Sequence, residues 1–290
     1  MMPREAVSTT SSTVREIEVR SADGLILRGR WWRRQAPRAA MIVAHGFSEH
    51  GGTHRHVAET LSNRLDLDVI VVDFRGHGAS PGRRGVVGRY EELTDDLTSV
   101  VEWIGRQRPD LPRFLLGHSN GGQVVLRFVL ENRIPVEALI LSNPALRVAM
   151  AIPPHKLWLG KLLRKYAPWV TLKGRLKTEL LTRDPEFQQA HRNDTLRHNR
   201  MSAPLFFGML EGGAMLIARA REIHTPTLMI LGGQDPIVDP SAARELFDRL
   251  GSADKMLLFY PKMLHEPFNE VGREQVFDDV IRWIEPRLRP

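Results

Sequence analysis

Phe114-Leu115-Leu116-Gly117-His118-Ser119-Asn120-Gly121-Gly122 is the stretch on which the reading of this chain turns. An apolar run, Phe114–Leu116, ends at a glycine-flanked serine, and a helical pattern over 123–132 follows at once. The stretch fits G-x-S-x-G in a strand–turn–helix setting. A serine raised off a strand end needs a turn too tight for side chains on the flanking backbone. Glycines two before and two after Ser119 meet that need. The turn also aims a helix N-terminus at the reacting centre. Ser119 is therefore the candidate nucleophile. The competing reading is a glycine-rich turn whose serine merely caps the helix.

Outward from this point the chain alternates. Short apolar runs bounded by turn residues occur at Ala40–Ala44, Val69–Val72, Ala138–Leu141, Thr227–Leu231 and Met256–Tyr260. Such runs suit strands buried on both faces. Helical patterns fall between them: His54–Arg64, Glu91–Gln107, Ser241–Leu250 and Arg273–Pro286. Alternation of this kind predicts a parallel sheet with helices on both faces. Before it, Val14–Arg20 and Leu25–Trp32 flank Asp23-Gly24 and read as a β-hairpin. Residues 1–13 are polar and read as a disordered tail.

The alternation fails from about Leu146 to His224, where apolar-basic patches such as His155–Tyr166 stand instead. Residues 147–222 hold 14 Lys+Arg against 6 Asp+Glu, which is more than the whole chain's net charge of +7. The excess is thus confined to one segment, read as a helical insertion between core strands. The body, 14–146 and 223–290, is close to neutral. A hydrophobic share of 42% permits a buried core and excludes disorder of the chain as a whole. The absence of cysteine excludes disulfides, zinc-thiolate and iron–sulfur sites, and a cysteine nucleophile. No apolar run approaching the roughly 20 residues of a membrane span is read, and no apolar signal segment heads the chain. The expected setting is soluble and cytoplasmic. Nucleic acid is disfavoured as a partner, since the charge is localised in one apolar segment that carries no known nucleic-acid-binding motif.

A serine hydroxyl needs a base, and the base needs an orienting acid. Both should follow the serine in the chain and lie past the C-terminal ends of strands. His224 precedes the run Thr227–Leu231, whereas His265 lies beyond the exit of the last run. His265 is the candidate base. Leu231-Gly-Gly-Gln-Asp235 offers the acid; Asp239, ahead of Pro240 and a helical pattern, reads as an N-cap. The oxyanion hole needs two backbone N–H groups. Asn120 supplies one and the loop His45-Gly46-Phe47 the other, through Phe47. Asp73, Arg75 and His77 in the glycine-rich loop after Val72 are read as braces. Neither a P-loop nor an H-E-x-x-H zinc motif occurs.

Taken together, the motifs resemble the α/β-hydrolase family, in its monoacylglycerol lipase and lysophospholipase branch (also called serine aminopeptidase S33 or hydrolase-4). They are His45-Gly-Phe-Ser-Glu-His50, Asp73-x-Arg-Gly-His-Gly-x-Ser-x-Gly82, Gly117-His-Ser-x-Gly-Gly122, Gly232-Gly-Gln-Asp235 and His265-Glu-x-x-Asn-Glu270. Leu181-Thr-Arg-Asp-Pro185 looks like part of the family's cap. The resemblance runs from about Val14 to Leu288. It implies an α/β-hydrolase fold of about eight strands with a helical cap, 147–222, inserted after the sixth. It also implies Ser119, Asp235 and His265 as the triad, Phe47 and Asn120 as the oxyanion hole, and His45, Glu49 and His54 on the substrate side. The implied reaction is cofactor-free, metal-free ester hydrolysis of single-chain lipids through an acyl-serine. Lysophospholipase, general carboxylesterase and ligand-binding readings stand as alternatives. Two positions depart from the branch: Asn120 stands where methionine is usual, and Gly52-Thr53-His54 where Gly-Arg-Tyr is usual. The basic, apolar insertion suits peripheral contact with a membrane or micelle.

Overall fold

The computed structural model describes residues 12–131, 134–150, 152–174 and 177–288. Eight strands form one sheet: β1 (Thr13–Arg20), β2 (Ile26–Arg33), β3 (Ala39–Ala44), β4 (Leu67–Val72), β5 (Arg113–His118), β6 (Ala138–Ser142), β9 (Thr227–Gly232) and β10 (Lys255–Tyr260). Their order is β1-β2-β4-β3-β5-β6-β9-β10. The expected hairpin is β1 against β2, closed by a turn in which Ser21 N–H donates to the Leu25 carbonyl and Gly24 takes φ +90°. β2 runs antiparallel to β4, and every later pairing in this sheet is parallel.

Both faces are covered, as the uninterrupted apolar runs demand. β3 is buried at every residue. Ala40, Ile42 and Ala44 enter one core with helices α2 (Glu91–Gln107), α3 (Asn120–Glu131) and α7 (Pro240–Arg249). Ala39, Met41 and Val43 enter the other, with α1 (Arg55–Leu65) and α8 (Arg273–Ile284). This is the period-2 division of side chains that a strand imposes. The sheet order also creates a switch point. The chain leaves β3 for β4 on one side and crosses back to β5 on the other. The exits of β3 and β5 therefore open into one crevice, where open α/β sheets place ligands.

Between β6 and β9 the chain leaves the sheet. It forms α4 (Pro154–Tyr166), the short strands β7 (Thr171–Lys173) and β8 (Arg200–Ser202), which pair antiparallel, α5 (Pro185–Asn193) and α6 (Ala203–Arg219). Residues 151, 175 and 176 of this stretch lie outside the described residues, as does Asn132 at the end of α3's pattern. So does the reading of a tail over 1–11; Thr13 already pairs with Arg33 in β1. The absence of a span-like run needs correction. Within the 20-residue helical segment Ala203–Glu222, an 18-residue window reaches a mean hydropathy of 1.2, long and apolar enough to cross a membrane by length and composition. Half of that window is buried, and α6 packs on α3, α4 and α7. Its apolar surface has a partner within the molecule, as a core helix requires.

Candidate active site

Ser119 follows β5 with φ 51°, a left-handed conformation rare for a residue with a side chain. Close packing holds it there. A Cβ on Gly117 would lie 2.6 Å from the Gly121 carbonyl oxygen, and one on Gly121 would lie 2.0 Å from that of Ala44. The glycines therefore let the turn nest against the neighbouring strand. Ser119 N–H donates to Ser142 O at 2.9 Å, and Ser119 O accepts from the Gly122 and Gln123 amides at 3.0 and 3.3 Å as α3 begins.

His265 arrives from the loop after β10. Ser119 Oγ–H donates to His265 Nε2 at 2.9 Å, and His265 Nδ1–H donates to Asp235 Oδ2 at 2.6 Å. Asp235 Oδ1 accepts from the Ile237 and Val238 amides at 2.8 and 3.1 Å, which orients the carboxylate. Asp239 instead accepts from Ser241 N at 2.9 Å at the start of α7. His224 bonds Gly251 O, away from these groups. Burial alone would lower the His265 pKa, but the Asp235 charge and hydrogen bond raise it above the ordinary 6.5, with Glu266 and Glu49 adding to the rise. Such an imidazole is poised to accept the serine proton and to hold it as an ion pair.

The loop after β3 lies against this centre. A Cβ on Gly46 would stand 3.1 Å from Ser119 Cβ. Among the described residues, neither the Phe47 nor the Asn120 N–H donates to another group of the chain. Both are thus free to meet a developing oxyanion. His45 is neutral, lowered first by burial. Its Nδ1–H donates to Gly46 O at 2.8 Å and its Nε2 accepts from Phe74 N at 3.0 Å.

Glu49 and His54 bond each other in the interior. Glu49 Oε1 accepts from Gly46 N–H and, at 3.0 Å, from His54 Nε2–H, while Oε2 accepts from Thr53 Oγ1–H at 3.0 Å. Burial opposes both charges, yet Glu49 is held well below the usual carboxylate range by His54, and His54 is raised above 6.5 by Glu49. His118 lies between this pair and His265, its ring 5.0 Å from that of His265, and burial pushes it down to about 4. Both ring nitrogens of His45, both carboxylate oxygens of Glu49 and Nε2 of His54 are therefore engaged inside the chain. In the loop after β4, Asp73 Oδ1 accepts from Gly51 N at 2.7 Å and Arg75 pairs with Asp96, Asp23 and Glu92. Among the described residues no group of three or more His, Asp or Glu is placed to hold a metal ion.

Two contributors were not read from the sequence. Asn143, at φ 41°, accepts from Gly232 N and donates Nδ2–H to the Leu264 and His265 carbonyls at 3.1 and 2.8 Å. It ties the exits of β6 and β9 to the loop carrying His265. Its only signal was Asn143-Pro144 directly past a strand run. The second is Tyr90, whose hydroxyl donates to Asn120 Oδ1 at 2.7 Å.

Known proteins resemble this chain in sequence and in fold. Residues 35–272 match the Hydrolase_4 family model, described as serine aminopeptidase, S33. A monoacylglycerol lipase of Mycolicibacterium smegmatis is 34% identical over 89% of this chain and 92% of its own. Phospholipase YtpA of Bacillus subtilis is 28% identical over 85% of this chain and 95% of its own. Among solved structures, the monoacylglycerol lipase of Paleococcus ferrophilus superposes with a TM-score of 0.81 at 26% identity, covering 95% of this chain and 99% of that one. The chain belongs to the Hydrolase_4 (serine aminopeptidase, S33) family and has the α/β-hydrolase fold.

Proposed function

We propose that the protein is a serine carboxyl-ester hydrolase that cleaves single-chain lipids, monoacylglycerol to fatty acid and glycerol, with Ser119 as nucleophile. The carrying observation is the unbroken hydrogen-bonded chain Ser119–His265–Asp235 at the switch-point crevice. Kinship with a monoacylglycerol lipase supports the substrate class. His265 takes the Ser119 proton as Oγ attacks the ester carbonyl. The oxyanion receives the Phe47 and Asn120 N–H bonds. Collapse breaks the acyl–oxygen bond, and His265 returns its proton to the departing alkoxide. A water, deprotonated by the same imidazole, then releases the acid from the acyl-serine. His45, Glu49 and His54 serve this scheme as supports of the oxyanion loop, since Glu49 anchors the Gly46 amide.

A phosphorylated head group is the second reading, favoured by Arg197. This guanidinium comes from the insertion and lies near enough to Glu49 to help hold its charge. Its Nη2 stands 3.9 Å from Glu266, while Nη1 is buried with no hydrogen-bond partner among the described residues. A phosphate oxygen would satisfy it. Fatty acid release from 1-lauroylglycerol and lauroyl-lysophosphatidylcholine separates the readings. Preference for the glyceride supports the first, preference for the phospholipid the second. Release from neither removes both.

We propose further that 147–222 acts as a cap whose outer face rests on lipid. Trp158 is 65% exposed and Trp169 53%, with Met150, Leu159, Tyr166 and Leu172 also exposed. Lys156, Lys161, Lys165 and Lys173 stand among them, all exposed. Leu157, Leu162 and Leu163 are half-buried, and Gly160 is the buried residue through which α4 meets Phe207 of α6. Exposed tryptophans beside lysines suit an anionic interface. Vesicles containing phosphatidylserine should sediment the wild-type protein in a salt-sensitive manner. The double variant Trp158→Ala, Trp169→Ala should bind at least about tenfold more weakly. Equal binding by the two proteins would remove the lipid-facing role.

A further inference from the structure

We propose that Tyr90 is a positioning residue for the oxyanion hole, acting through Asn120, and that helix α6 of the insertion holds Tyr90 in place. The inference rests on the reading of Ser119 as nucleophile.

Asn120 is the first residue of α3, directly after the left-handed Ser119. Its amide belongs to the first turn of the helix, where N–H groups have no intrahelical acceptor. What fixes the direction of that N–H is the placement of the residue itself. Its side chain is anchored: Oδ1 accepts from Tyr90 Oη–H at 2.7 Å, and both residues are buried. Burial pushes the Tyr90 pKa up, so the phenol keeps its proton and remains a donor.

Tyr90 is gripped in turn. The Arg127 guanidinium lies over its ring at 4.4 Å. Arg127 Nη1 pairs with Glu91 at 2.9 Å, and Nη2 donates to the Gly208 carbonyl in α6 at 3.1 Å. Gly208 meets the phenol directly, since a Cβ there would stand 2.4 Å from Tyr90 Cβ. One helical turn later, a Cβ on Gly212 would stand 2.2 Å from Arg127 Nη2. Gln123, in the second turn of α3, donates to Met209 O at 2.7 Å, a further bond between the same two helices. A contiguous strut therefore runs from α6 through Arg127 and Tyr90 to the side chain of Asn120. Its near end is the residue whose amide must face the oxyanion. A change in the seating of α6 is transmitted to that amide. On this proposal the strut acts on the transition state through the Asn120 amide and leaves ground-state binding alone.

Tyr90→Phe removes one hydroxyl and leaves Asn120 Oδ1 buried without its donor. The variant should show kcat lowered about tenfold, KM within about twofold of wild type, and affinity for an alkylboronic acid, a mimic of the tetrahedral intermediate, lowered by the same factor. Asn120→Met, which cannot accept the bond, should give a similar loss. Tyr90→Phe added to Asn120→Met should cost nothing more, because both remove the same link. Thermal denaturation of each variant confirms that it is folded, so that kcat is taken per folded molecule. A Tyr90→Phe enzyme with wild-type kcat, or losses that multiply in the double variant, would overturn the strut and leave the proposed hydrolase standing. Wild-type protein without ester hydrolysis would overturn both.

Discussion

Ser119→Ala is expected to lower kcat for ester hydrolysis by about 10⁶ while the protein keeps its fold. The size follows from the two roles of one oxygen. In the proposed mechanism Ser119 Oγ forms the covalent bond to the acyl group, and its proton passes to His265 Nε2, which stands 2.9 Å away. Without it, the remaining help is the pair of amides and whatever binding energy orients the lipid. Those alone leave a residual of about 10³–10⁴ over the reaction in water. Stability should barely change. The backbone strain at φ 51° is imposed by the packing of Gly117 and Gly121, and an alanine adopts the same conformation at the same cost. Fatty acid release measured beside a melting curve separates lost chemistry from lost fold.

The second large effect belongs to Asp235→Asn, at about 10⁴ in kcat. Asp235 Oδ1 is committed to the Ile237 and Val238 amides, so an asparagine there keeps its carbonyl oxygen on them and turns its NH₂ toward His265. A donor then faces Nδ1, where the aspartate accepted at 2.6 Å. The imidazole answers by carrying its proton on Nε2, and Nε2 can no longer accept from Ser119. The pH profile should move as well. The base works only when neutral, so kcat/KM rises with pH through the His265 pKa. Burial lowers that pKa, and Asp235 raises it to a net value above 6.5. In wild type the acid limb should therefore have its midpoint above 6.5. In Asp235→Asn the raising charge is gone while burial remains, and the midpoint should fall. A pH series of kcat/KM on both proteins tests the direction. An unmoved midpoint would place the controlling group elsewhere.

The parts legible in the sequence were those governed by local rules. Buried parallel strands must be short and apolar, so the runs at Thr227–Leu231 and Ala138–Leu141 fell within one residue of β9 and β6. α2 carries a clear apolar stripe and was read to its observed ends, Glu91–Gln107. The order of serine, acid and base along the chain, with the rule that sites form at strand exits, favours His265 over His224, and the place of Asp239 ahead of Pro240 marks it as the N-cap that accepts from Ser241 N.

What escaped had no local signature. β7 and β8 are three residues each and mostly exposed, so no alternation marks them. α6 is apolar around most of its surface, because it is covered by α3, α4 and α7, and a helix without a polar face shows no stripe. Glu49 and His54 drew notice as substrate-side groups. Their bond to each other depends on how the loop after β3 folds back onto the start of α1, which spacing alone does not reveal. The Tyr90–Asn120 bond joins residues 30 apart in sequence, through packing that only the assembled helices create.

Titration with a long-chain alkyl fluorophosphonate, followed by peptide mass mapping, bears most directly on Ser119 as the acyl-accepting residue. One phosphonyl group should appear on the peptide containing Ser119, with ester hydrolysis lost in proportion to its occupancy. Loss of activity with the label on another residue, or full activity with Ser119 fully labelled, would contradict it.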